Sequence, residues 1–429
     1  MSRYLRLQGR TASCLLLLAL GLIALAVIYS IPLNYPPIRG DGMGYYLYLP
    51  TSLIFHDLTL QQLVAHFGQP LGEWTGAGLL EGTSHYIIKY PIGEALLLAP
   101  SFCFAMGVAW LVGAPVDGFS WPFQTMVALS GLTYGVVGFG ILWKILSKDF
   151  KEKTIRICLW SLALSTNLFH YATYDASYTH IYSFFLFSLF LLIVQTVYNN
   201  SSSRLWAALG LVSGLIIVTR PTNIVWLVFG LLYGVYDDES FRQRILFWRR
   251  EVWNGLWCLV ALCFPVFLQM LYWKVVTGQF VYYSYTAEGF YFLNPNILKV
   301  LFSVQKGLFF WSPILLLTLP GLLFVRRFAV QYWLPALIFI PINTYIISSW
   351  STWTYGGSFG QRPFLESLPV SAICLCSLYQ GSPRQVRQFL NGLFILTSAL
   401  SVWLMLHYWT NVIPFNEATI QDVLRTFGL

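Results

Sequence analysis

The stretch "PIGEALLLAPSFCFAMGVAWLV", residues 91–112, decides how this chain is threaded. It is apolar, and at about 20 residues it is long enough to cross a bilayer. Eleven similar runs lie near 12–31, 122–146, 155–173, 179–198, 205–219, 222–236, 253–273, 308–325, 330–349, 364–380 and 388–409. If all twelve cross from an inner N-terminus, "SKDFKEK" (147–153), "DDESFRQR" (237–244) and "SPRQVRQ" (382–388) end up outside. The positive-inside rule forbids that outcome. Letting 91–112 enter and leave on one face, as a re-entrant or interfacial helix, turns every basic loop inward. Seventeen of the 25 Lys and Arg then lie inside, and about 11 spans remain.

Composition sets the class. Hydrophobic residues make up 57% of the 429 and charged residues 10%, with a mean hydropathy of +0.64. Soluble domains carry about 25% charged residues, so this chain cannot cover itself with a surface fit for water. In lipid only helices or closed barrels satisfy the backbone, and long continuous runs argue for helices. The expectation is an all-α polytopic membrane protein forming one integral unit over 1–429. Its first extracytoplasmic loop, 32–121, contains the non-spanning helix and other juxtamembrane helices; a second long outer loop covers 274–307. Run 12–31, behind the basic "MSRYLRLQGR", reads as an uncleaved first helix rather than a signal peptide, although Ala24-Leu25-Ala26 loosely resembles a cleavage site. The seven cysteines all sit in apolar segments, so neither a disulfide framework nor a thiolate metal site is expected. The net charge of +8 follows from topology and points to no nucleic-acid partner.

Topology leaves eight outward cations unexplained: Arg39, Lys89, Arg220, Lys274, Lys299, Lys306, Arg362 and Arg425. An ion near a helix end in a membrane is costly unless partnered. In "RGDGMGYYLYLP" (39–50), Asp41 sits among Gly40, Gly42 and Gly44, which keep the backbone loose, and before Tyr45, Tyr46 and Tyr48. Asp41 is either the N-cap of a helix starting near Met43 or a functional carboxylate. "SHYIIKYPIGEALLLAP" (84–100) puts Lys89 at the mouth of the non-spanning run, as a snorkelling lysine or a phosphate ligand. "YATYDASYTH" (171–180) brings Asp175 and His180 to the same face, and "VTRPTN" (218–223) adds Arg220, which could instead cap helix carbonyls. "SSWSTWTYGGSFGQRPFLESLP" (348–369) adds Trp350, Trp353 and Arg362; an aromatic belt would explain its rings alone. Together these make one face with a carboxylate, cations suited to phosphate and rings suited to sugar.

That assembly resembles the GT-C superfamily of polyprenyl-phosphate-sugar-dependent glycosyltransferases, and among them the protein O-mannosyltransferases and lipid A aminoarabinose transferases. The likeness in motif order runs from residue 1 to about 223 and resumes at 348–369. Asp41 matches the acid of the family's first outer loop, with Gly42 where a second acid is common. "KYPIG" stands in for a Lys/His-Pro-Pro-Leu-type segment, Tyr90 replacing the first proline. Tyr171-Ala172-Thr173-Tyr174-Asp175-Ala176 follows a Tyr-Ala-x-x-Asp-Pro pattern, Ala176 replacing its proline.

The resemblance implies an inverting transfer of a sugar from a polyprenyl-phosphate donor to an acceptor hydroxyl on a glycan, lipid or protein. It keeps run 91–112 on the outer side. Asp41 is the expected general base. Lys89, Arg220 and Arg362 are the expected phosphate ligands, with Arg39 either joining them or orienting Asp41. Tyr45, Tyr46, Asp175, His180 and Trp353 are expected to contact substrate. Some superfamily members hold a divalent cation, and Asp41 with Asp175 and His180 would suit Mn²⁺ or Mg²⁺; the best-matching relatives work without one, and no cofactor is expected. The expected location is a bacterial plasma membrane, N-terminus in the cytoplasm and site outside. The alternative is a transporter or flippase for a lipid-linked saccharide, which should carry mid-membrane charges and repeated halves.

Overall fold

A computed structural model describes residues 2–31, 35–72 and 75–429. The chain opens with α1 (Ser2–Ser30), followed by the short helices α2 (Asp41–Tyr46), α3 (Tyr48–Leu53) and α4 (Gln61–Phe67). A small hairpin pairs β1 (Ala77–Leu79) antiparallel with β2 (Tyr86–Ile88), Ala77 opposite Ile88. Next come α5 (Gly93–Val112), α6 (Trp121–Leu146), α7 (Glu152–Ser165), α8 (Leu168–Thr173), α9 (Thr179–Asn199) and α10 (Ser203–Thr219). They are followed by α11 (Leu227–Leu232), α12 (Asp238–Arg250), α13 (Val252–Thr277), α14 (Ile297–Phe302) and α15 (Leu308–Trp311). The chain closes with α16 (Thr318–Phe328), α17 (Trp333–Ser349), α18 (Leu368–Gly381), α19 (Arg384–Trp409) and α20 (Ile420–Arg425).

Among the described residues, seven helices are long and apolar enough to cross a membrane: those containing α1, α5, α6, α9, α13, α17 and α19. This is an all-α membrane protein. Five further apolar runs are shorter or broken, for local reasons. Run 155–173 splits where Thr166 turns extended between α7 and α8. Pro221, Pro313 and Pro363 each open a 3₁₀ turn ahead of α11, α16 and α18, because proline lacks an amide and clashes with the preceding turn. Run 205–219 stays whole as α10 but is short.

Packing separates lipid-facing from central helices. Only 17% of the apolar window of α13 is buried, and Trp253, Trp257, Val260 and Phe264 point outward. In water such a patch would aggregate; here lipid is its solvent. In α9 the buried share is 67%, with Ile181, Phe187 and Leu191 fully enclosed. Gly210 and Gly214 let α10 close onto the carbonyls of Cys258 and Leu262 on α13, the small-residue contact that membrane helices favour.

Two ends of the bundle are distinct. At one, Gln331 donates to Asp149 (2.8 Å), Gly234 N–H donates to the Gln331 carbonyl (2.9 Å), and Lys151 N–H donates to Gln380 (2.9 Å). These contacts gather the connections at 147–151, 233–235, 331 and 380. At the other end lie the α2 turn and the segments around 175, 220, 285 and 355. Helix α5 starts at this second end, where Gly93 packs on Thr219. It runs antiparallel to the first half of α6: Tyr134 donates to the Leu97 carbonyl (2.7 Å), Ser130 to Ser101 (2.7 Å), and Phe102 meets Phe123. The chain leaving α5 returns to α2, where the Tyr46 hydroxyl donates to the Gly118 carbonyl.

Candidate active site

The glycines around Asp41 serve close packing, which corrects the expectation of a loose loop. Gly40 has φ +51°, a left-handed conformation that glycine adopts without strain, and a Cβ there would strike the Tyr178 hydroxyl. At Gly42 a Cβ would overlap Ser177. Asp41 is the first residue of α2, whose N-cap position is Gly40 with no side-chain cap. The carboxylate is therefore not a helix cap. Its Oδ1 accepts from the Tyr90 hydroxyl (2.7 Å), and its Oδ2 pairs with Arg362. It keeps 32% of its side-chain surface exposed, facing the cavities that flank it.

Asp41 stands in a wall between two cavities. The smaller, about 230 Å³, is lined by Lys89, Arg220 and Arg362, together with Tyr45, His180 and Tyr285. The larger, about 990 Å³, is lined by Arg39, Asp175, Tyr174, Phe415 and others. Asp41 and Tyr178 line both. Four cations expected near one phosphate thus divide three to one: Lys89, Arg220 and Arg362 share the small cavity, while Arg39 faces the large one.

Each cation is held by a partner. Lys89 Nζ pairs with Glu288 (2.8 Å), which the tyrosine-rich segment after α13 supplies. Arg220 meets Glu366 at 3.3 Å, and its Nη1 reaches the His180 ring, 3.0 Å from Nδ1 and 3.2 Å from Nε2. His180 Nδ1 also lies 3.0 Å from Glu366 Oε1, so the imidazole sits between the guanidinium and the carboxyl. Arg362 sits over the Tyr178 ring, 5.1 Å from its centre, and its Nε finds no partner among the described residues.

On the large-cavity side, Arg39 donates from Nη2 and Nε to Asp175 Oδ1 (2.9 and 3.3 Å) and from Nη2 to the Tyr174 carbonyl (2.8 Å). His170 completes the cluster. Trp409 donates to its Nδ1 (3.0 Å), so Nε2 bears the proton and donates to Asp175 Oδ2 (2.8 Å). Burial opposes charge on Asp175, yet Arg39 and His170 hold its carboxyl down at about 2. Arg39 stands apart from Lys89, Arg220 and Arg362, and its carboxylate partner is Asp175, not Asp41.

Of the remaining expected residues, Tyr46 packs into the core against Phe102, away from both cavities. Trp353 lines neither cavity; Trp350 lines the small one. Glu288, Glu366, His170 and Trp409 escaped the sequence reading. Glu366 alone carried a signal, being the only acid in "RPFLESLP" (362–369). Asp41, Asp175 and His180 do not share one cavity, and no group of three His, Cys, Asp or Glu that could hold a metal ion occurs among the described residues.

Lys306 is 2% exposed and donates to the Phe415 carbonyl (2.6 Å) and the Ser358 carbonyl, tying together two loops beside the large cavity. Burial, then Arg362, push its ammonium from 10.5 down to about 7. The unfolded chain keeps that proton to higher pH, so unfolding takes up a proton between the two values. Stability should rise as pH climbs from about 7 toward 10.5. Lys306→Met should flatten that rise in thermal melts; an unchanged slope would remove Lys306 from this role.

No protein family, curated protein or solved structure matches this chain.

Proposed function

We propose that this protein is a membrane glycosyltransferase of the GT-C kind, moving a sugar from a polyprenyl-phosphate donor to an acceptor hydroxyl. One observation carries the reading: Asp41, Lys89, Arg220 and Arg362, far apart in sequence, converge on one cavity of about 230 Å³. That is below the ~300–1,000 Å³ of drug-sized pockets and suits a sugar-phosphate headgroup, not a whole lipid. The lipid tail stays with the membrane.

The acceptor hydroxyl gives its proton to Asp41 as its oxygen attacks the anomeric carbon. The bond from that carbon to the phosphate oxygen breaks, and polyprenyl phosphate leaves with the electron pair, with inversion as the resemblance implies. Charge grows on the leaving phosphate, where Lys89, Arg220 and Arg362 stabilise it more than in the ground state. Tyr90 and Arg362 fix the carboxylate so that it need not reorient.

The clustering of basic connections at the opposite end of the bundle supports an inner, cytoplasmic assignment for that end. It also supports eleven crossings, with the broken runs counted as spans. The pairing of α5 with only the outward half of α6, and its return to α2, support its lying on the site's side. We read the membrane as a bacterial plasma membrane, with the site facing outward.

The test is transfer of label from radiolabelled polyprenyl-phosphate sugars to extracted acceptors, using protein in lipid nanodiscs. Lys89→Ala should cost about 10²–10³-fold in rate, by analogy with lost oxyanion donors, with normal membrane yield. Absence of transfer by the wild type from every donor would sink the reading and put transport first.

A further inference from the structure

The large cavity differs in chemistry from the small one, and that difference bears on the acceptor. Among the described residues, Arg39, Asp41 and Asp175 are the charged side chains that line it. Arg39 is neutralised by Asp175, and Asp41 by Arg362. The small cavity sets three cations, Lys89, Arg220 and Arg362, against two carboxylates, Asp41 and Glu288. The large one sets a single cation against two carboxylates, so an anionic acceptor would meet an excess of negative charge there. The rest of the wall offers carboxamides and flat rings, set among the aliphatic side chains of Ile38, Met43, Leu47 and Leu71 and the prolines Pro36 and Pro70. Gln69, Asn411 and Asn416 are exposed, and their amide groups make no side-chain hydrogen bond among the described residues. Tyr35 is 68%, Phe415 54% and Phe67 39% exposed.

A carboxamide both donates and accepts, which matches hydroxyls that do the same. An aromatic face takes the C–H face of a pyranose ring, and such rings contribute contact area at low entropy cost. A peptide acceptor would be expected to use a sheet edge or a groove lined with backbone groups. The β1–β2 hairpin lies outside this lining. A volume of about 990 Å³ sits at the top of the ~300–1,000 Å³ range and has room for more than one sugar unit.

Resting on the transferase reading, we propose that the large cavity is the acceptor site and that it takes an uncharged, polyhydroxylated glycan. The reacting hydroxyl lies at the Asp41 wall, and further sugar units lie on Phe415, Asn411 and Asn416 toward the mouth.

Equilibrium binding tests this without any transfer. Fluorescein-labelled tetrasaccharides of glucose, mannose, galactose and rhamnose would be titrated onto the full chain in nanodiscs by anisotropy. A phosphorylated tetrasaccharide and a serine/threonine-rich peptide would serve as competitors in class. At least one neutral probe should bind, and bind tenfold or more weakly to Asn411→Ala/Phe415→Ala. Each variant would be checked for its wild-type melting profile, with Asn416→Ala as a milder second variant. Preference for the phosphorylated probe or the peptide, binding unaffected by the variants, or no neutral probe bound at millimolar concentration would overturn the proposal. Glycan binding without any transfer would leave this site standing and remove the transferase reading instead.

Discussion

Asp41→Asn should lower the transfer rate by about 10²–10⁴-fold, the usual contribution of a positioned general base, while donor binding persists. Asparagine keeps the shape of the side chain and can still accept from Tyr90, but it takes up no proton. The substitution also deprives Arg362 of its counter-charge, and Arg362 is only 8% exposed. Some stability should therefore be lost, and the rate must be read on protein that is still folded. Arg362→Met approaches the same pair from the other side. It leaves the carboxylate in place but takes a cation from the small cavity, so on the transferase reading donor binding and rate should fall together. The base assignment rests on this contrast. If Asp41→Asn retains transfer within about threefold, well under the usual base contribution, the carboxylate only anchors Arg362, and another group must take the proton.

The class of this protein was legible because lipid leaves the chain little choice. With 10% charged residues and apolar runs of spanning length, no water-facing surface can be built. The site was legible only as a set. Lys89, Arg220 and Arg362 each had an ordinary explanation, and each proved to have an ordinary partner as well; what singles them out is their meeting at one cavity. That meeting depends on contacts between residues up to 321 positions apart, such as Arg362 with Asp41, and no local pattern encodes them. The same distance hid the partner of Arg39, which lies 136 residues away at Asp175 and not two residues away at Asp41. The glycines misled for a different reason. Composition tells that Gly40 and Gly42 can bend, but only the packing of Tyr178 and Ser177 shows that they must be small. Spans are hard to count from hydropathy because single residues break a run that stays apolar on average. Pro221, Pro313 and Pro363 do so at or within three runs, and Thr166 within a fourth.

Asp175→Asn should be the most destabilising of the single substitutions considered, by about 3–5 kcal/mol, because it strands a largely buried guanidinium. Arg39 is 14% exposed, and its Asp175 partner 5%. A carboxyl held at about 2 against an ordinary 3.8 contributes about 2–3 kcal/mol of stability at neutral pH. Because the folded value is the lower one, this contribution is complete above 3.8 and fades as pH falls toward about 2. Replacing the arginine as well removes the stranded charge. Arg39→Met/Asp175→Asn should therefore be destabilised by less than the sum of the single variants, with a coupling of about 0.5–3 kcal/mol. The cycle also separates position from chemistry. The pair clamps the start of the Asp41 turn to the chain leaving α8, so a purely positional Asp175 predicts that transfer recovers partly as stability recovers in the double variant. Were Asp175 instead to act on the substrate itself, Asp175→Asn would lose transfer in protein that melts like the wild type, and the second substitution would restore nothing. His170→Gln supplies an independent check, since the Nε2–H bond to Asp175 would be weakened while the Arg39 pair remains. A clamp built from both contacts should then soften without failing, and transfer should fall by less than with Asp175→Asn.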